Sequence, residues 1–76
     1  MKIKAIYDNG GKTLDRYTIV IDKKNGKFYD CIGASENGAG FFMWSECMLG
    51  RHLGKKVTFD SLSMELQTRI NNTLND

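Results

Sequence analysis

The sequence predicts an α+β fold, with a three- to four-stranded antiparallel sheet and two helices packed on one face, in the order β-β-β-α-β-α. Three observations predict it. Residues 3–33 hold three segments rich in alternating, β-branched and aromatic side chains, separated by Gly- and Asn-containing turns. Residues 41–49 form a dense apolar run closed by Gly50, a residue that suits a helix C-terminus. Leu62, Leu66, Ile70 and Leu74 recur at four-residue spacing, which is one stripe of an α-helix. Strands first and helices late is the pattern of a sheet with helices gathered on one side.

Each element has its own signals. Ile3, Ala5 and Tyr7 alternate with Lys2, Lys4 and Asp8, which predicts a half-buried first strand with those three residues on one face. Asp8-Asn9-Gly10-Gly11 tolerates positive φ and turns the chain. Arg16 to Asp22 forms the second strand, with Tyr17, Ile19 and Ile21 on one face, and Asn25-Gly26 is the strongest hairpin signal in the chain. A two-residue loop there sets Ile21 opposite Asp30. A four-residue loop, Lys23 to Gly26, sets Ile21 opposite Phe28, Tyr17 opposite Ile32 and Asp22 opposite Lys27. The second register pairs apolar with apolar and opposite charges with each other, so cross-strand energetics favour it.

The third strand covers about Lys27 to Gly33, and Gly33 to Gly40 is a loop by composition. A helix over Phe41 to Leu49 follows, although seven of its nine residues are apolar and no polar face emerges at helical spacing. Arg51 to Gly54 reads as a connector and Lys55 to Phe59 as a short strand with Val57 and Phe59 on one side. Asp60, Ser61 and Ser63 are all plausible N-caps for the last helix, and Glu65 lies in its first turn, where the helix dipole favours it.

The 76 residues make a single domain, 1–76. Scaling rules give about 4,700 Å² of accessible surface folded against about 12,500 Å² unfolded, near the lower limit for a core without staples. A second domain or a large interior cofactor cavity is excluded. Eleven Lys and Arg against nine Asp and Glu leave a net charge of +2, with residues 1–30 at +3 and residues 31–76 at −1. That bias is too weak to suggest a phosphate-binding stripe, though it permits one. No positively charged leader with an apolar run stands at the start, and no apolar stretch reaches the roughly 20 residues that cross a bilayer. The expected location is therefore the cytoplasm, without membrane contact, and Cys31 and Cys47 read as two buried free thiols rather than a disulfide.

Motifs that hint at chemistry fail on geometry. Asn9-Gly10-Gly11-Lys12-Thr13 ends like a phosphate-binding loop, but its leading glycine position is Ile6, inside a strand. Gly33 to Gly38 brushes the nucleophile-elbow pattern but is one residue too long. His52 is the single histidine, and its spacing from Cys47 sets up no nucleophile–base hydrogen bond. Cys31, Cys47 and His52 lack the bite of a structural zinc site, so no metal and no cofactor is expected. Asp30 alternates onto the face of Phe28 and Ile32; buried there it needs a donor, for example a nearby backbone N–H or Arg16, and a position in water at a strand end is the simpler expectation.

Two surface candidates remain. The apolar segment offers Phe42, Met43, Trp44 and Leu49 as anchors for a partner or for self-association through residues 41–49, with Arg51 and Lys55 as a polar rim; the competing reading is a buried central helix. Basic residues Lys23, Lys24, Lys27, Arg51, Lys55 and Lys56 form the alternative, a weak nucleic-acid site.

The stretches Asp15-Arg16-Tyr17-Thr18, Gly33-Ala34-Ser35, Gly50-Arg51-His52-Leu53-Gly54-Lys55-Lys56 and Phe59-Asp60-Ser61-Leu62 give the chain a further character. Over roughly residues 8 to 74 it resembles short hypothetical proteins carried by bacteriophages and related mobile elements. That group has no assigned activity, so the resemblance carries over no site residue. It implies a small accessory product acting inside an infected cell. Together these readings lead to the expectation of a non-enzymatic module that works by contact with a host or viral protein, for instance by inhibiting a host process or defence system.

Overall fold

The computed structural model describes residues 2–13, 15–35 and 42–75. Five strands form one sheet: β1 (Ile3–Asp8), β2 (Tyr17–Asn25), β3 (Phe28–Ala34), β4 (Phe42–Cys47) and β5 (Lys55–Val57). A single α-helix among the described residues, α1 (Met64–Leu74), follows. The strand order is β4-β3-β2-β1-β5 with every neighbouring pair antiparallel. The α+β class stands, but the sheet has five strands rather than three or four, and one helix covers it rather than two.

The missing helix is the segment expected over Phe41 to Leu49. Residues 42–47 are strand β4, and Phe41 lies outside the described residues. Read at period two, Phe42, Trp44 and Glu46 take one face and Met43, Ser45 and Cys47 the other. The absence of a polar face at helical spacing was the warning: a sheet edge needs none. Gly50 accordingly ends no helix; it precedes a 3₁₀ turn, Arg51–Leu53.

Strand faces are set by two register shifts. Between Ile3 and Ala5 the pairing slips, so that Ile3 opposes Ile21, Ala5 opposes Val20 and Ile6 opposes Ile19. This bulge puts Ile3 and Ile6 on the helix-covered face and sends Ala5 to the other, against the simple alternation of Ile3, Ala5 and Tyr7. In β2–β3 the body pairs Ile19 with Ile32 and Tyr17 with Ala34, which is the register of the two-residue-loop alternative and not of the four-residue one. Near the tip it shifts to Lys24 opposite Tyr29 and Asn25 opposite Phe28, around Gly26 and Lys27. Burying Ile19, Ile32 and Ala34 together under α1 outweighs the ion pair that the other register offered between Asp22 and Lys27.

The core lies between one sheet face and α1. Ile6, Ile19, Ile21, Ile32 and Ala34 meet Leu62, Leu66, Ile70 and Leu74, with Tyr17, Phe42, Val57 and Phe59 packed at the margin. Ser63 is the N-cap of α1, its hydroxyl accepting from the Leu66 N–H at 3.2 Å. Gln67, on the polar side, donates from Nε2 to the Leu62 carbonyl at 2.9 Å and ties the helix start to the turn before it.

Lys55–Val57 does join the main sheet, opposite Asp8, Tyr7 and Ile6; Phe59 belongs instead to a 3₁₀ turn, Phe59–Ser61. To reach β5 the chain must pass from one edge of the sheet to the other between Cys47 and Lys55.

Candidate interaction edge

β4 presents an outer edge that pairs with no other described strand. Its inner neighbour is β3, which aligns Ala34 with Phe42, Gly33 with Met43, Ile32 with Trp44, Cys31 with Ser45, Asp30 with Glu46 and Tyr29 with Cys47. On the helix face Phe42 packs against the core margin, and the Arg69 guanidinium of α1 lies 4.3 Å above its ring, a cation–π arrangement. Trp44 is 45% exposed, although it stands across from the fully buried Ile32. On the other face Met43 is 55% exposed. Met48 and Leu49 continue the exposed apolar run past the strand's end.

The same pair of strands carries the cysteines, Cys31 on β3 and Cys47 on β4. Cys31 Sγ and Ser45 Oγ share a hydrogen bond of 3.3 Å across β3–β4, and Cys47 sits diagonally from Cys31 on that face. Both are free; Cys31 is buried as expected, but Cys47 is only half-buried. Desolvation and the neighbouring Cys31 thiol push Cys47 up to about 12. It is a protonated thiol at neutral pH, the opposite of what a nucleophile requires.

Glu46 and Asp30 are like charges placed directly across the strand pair, an unfavourable juxtaposition. Asp30 is the third residue of β3 rather than its end, and it is only partly covered. It accepts a 2.8 Å hydrogen bond from Asn25 Nδ2, and Lys23 Nζ stands 3.7 Å away. The donors are these hairpin residues, not Arg16. That guanidinium instead grips Asp8 through Nε–Oδ1 at 2.8 Å and Nη2–Oδ2 at 3.1 Å. The Arg16 hydrogen bond holds the Asp8 carboxyl below its ordinary range against partial desolvation, helped by the Gly10 N–H and the charge of Lys55.

The structure thus gathers Phe42, Met43 and Trp44 on one strand and puts Leu49 just beyond it. Arg51 lies in the following 3₁₀ turn. Lys55 is not part of their rim: it lies on β5, separated from β4 by three strands, and its ammonium acts on Asp8. The basic set is not one stripe either. Lys23 faces Asp30, Lys24 sits 5.7 Å over the Tyr29 ring with Lys4 at 5.8 Å, and Lys27 is in the hairpin tip; Lys55 and Lys56 pair with the far end of β1. Arg69 and Glu46 escaped the sequence reading. A helical view of 42–47 hid which residues share a face with Glu46, and nothing local marks Arg69 as the neighbour of Phe42. Among the described residues no group of three or more His, Cys, Asp or Glu is placed to hold a metal ion, and no helix is long and apolar enough to cross a membrane. No protein family, curated protein or solved structure matches the chain.

Proposed function

We propose that the chain is a small non-enzymatic accessory protein that acts by protein–protein contact, with the outer edge of β4 as its contact surface. Inhibition of a host process or defence system is the form of this activity that the bacteriophage resemblance suggests. The observation that carries the reading is the pairing, on one six-residue edge strand, of an open backbone with Met43 55% and Trp44 45% exposed. Unpaired N–H and C=O groups on an edge template the addition of another strand. Main-chain hydrogen bonds then supply affinity and the flanking side chains supply selectivity. Phe42, anchored at the core margin, fixes the strand, while Met43 and Trp44 offer adaptable and aromatic contact area. Leu49 and Arg51 extend this surface beyond the strand. The protonated state of Cys47 supports a role without covalent chemistry.

The test compares Met43→Glu and Trp44→Ala with Lys56→Ala on the opposite edge. A protein that co-purifies with the wild type from a bacterial lysate is expected to be lost from the first two and kept by the third, with all three melting near the wild-type temperature. If both β4 variants unfold, the segment is core and the reading fails; if both keep the partner, the contact lies elsewhere. Binding to single-stranded DNA that collapses between about 50 and about 200 mM salt would favour the basic residues instead.

A further inference from the structure

Resting on the reading of β4 as the contact edge, we infer that its occupant is a second copy of this chain. The two β4 strands pair antiparallel about a twofold axis at Trp44, so that two five-stranded sheets become one. In an antiparallel pair, opposed residues share a face of the sheet. A strand that pairs with itself under twofold symmetry must therefore be centred on a residue, not between two.

Centring on Trp44 sets that ring against Trp44 of the second copy, Met43 against Ser45, and Phe42 against Glu46. The last pair decides the register. Glu46 of the second copy arrives on the helix face beside Phe42, where the Arg69 guanidinium lies 4.3 Å above the ring. A carboxylate that faces the like charge of Asp30 within its own chain gains a cation across the interface. Centring on Ser45 instead sets Glu46 against Trp44 and forfeits that match, and parallel pairing sets Glu46 beside Glu46. β4 also carries few of the usual defences of an edge: beside the single charge of Glu46, no Lys, no Pro and no bulge interrupts residues 42–47.

Sedimentation equilibrium over a concentration series should show the 8.6 kDa chain passing to twice that mass. Glu46→Lys replaces a like-charge pair with Asp30 by an attractive one, so the fold is kept or strengthened, while the dimer dissociation constant rises by about tenfold or more. Combining Glu46→Lys with Arg69→Glu restores association. The register is read with single cysteines in a Cys31→Ser/Cys47→Ser background. Trp44→Cys places two thiols on residues opposed at Cα distances of about 4.5–5.5 Å, within disulfide reach, and oxidises to a covalent dimer. Met43→Cys, two residues out of register with its own copy, does not. A wild type that stays monomeric throughout, a Glu46→Lys variant that dimerises unchanged, or cross-linking at Met43 and not at Trp44 would each overturn the inference. A monomeric wild type that still loses a foreign partner on Met43→Glu would overturn the self-pairing alone and leave the contact reading standing.

Discussion

The two edges of this sheet are built on opposite plans. β5 is three residues long, Lys55-Lys56-Val57, and both lysines are exposed. A short strand with lysines on its rim resists the approach of another strand, because pairing would bury charge without compensation. β4 is six residues long, carries one charge, and leaves a methionine and a tryptophan largely open. The contrast teaches that the two edges are protected unequally, and it is on the less protected one that the proposed contact rests.

The contrast extends to what holds each edge in place. Gly54, just before β5, has φ +111°, and a Cβ there would run into the Asp8 carbonyl oxygen. Gly54→Ala is expected to have the largest effect, a loss of about 3 kcal/mol, because backbone cannot yield as a flexible side chain can. Urea unfolding measures it; a loss below about 1 kcal/mol would mean that β5 tolerates displacement and that the edge is not fixed by this approach.

Phe42→Ala comes next, at about 2 kcal/mol, less than for a fully buried ring because Phe42 only margins the core. If it costs nothing, β4 is held by its ladder alone. A smaller effect separates the edges by pH. The Asp8 carboxyl is lowered from its ordinary value of 3.8. Its contribution is therefore fully present above that value and is lost as pH falls through 3.8 toward the folded value. Acid unfolding of Asp8→Asn should lack this component, whereas Glu46→Lys should retain it; equal profiles for wild type and Asp8→Asn would remove the ion pair from the account of β5. Smallest of all, Lys56→Ala should change stability by less than about 0.5 kcal/mol, because Lys56 is exposed and forms no ion pair among the described residues. A larger loss, measured in the same urea series, would make Lys56 structural.

The chain announces some of this plainly. The leucine–isoleucine stripe of α1, the turn at Asp8 to Gly11 and the Tyr17-Ile19-Ile21 face can be read from spacing because a single periodicity decides each. β4 cannot, since a run such as Phe42-Met43-Trp44 satisfies helix and strand alike until its neighbour β3 is known. The bulge at Ile3–Ala5 is equally hidden: Ile6 reaches the core through pairing with β2, and nothing in Lys4-Ala5 marks the slip. Of the candidate surface, Met43 and Trp44 were legible as apolar residues in excess of core needs. Lys55 was misplaced beside them because proximity in sequence concealed a crossing of the whole sheet.

The late position of α1 has a consequence for how this protein is made. Ribosomal synthesis delivers β1 through β4 as a nearly complete meander whose neighbours in space are neighbours in sequence. The strand that completes the β1 side and the helix that shields Ile6, Ile19 and Ile32 are both encoded after residue 54. Until residues 55–74 emerge, a growing chain shows its greasiest surface to the cell, and any cut that removes them leaves that surface bare for good.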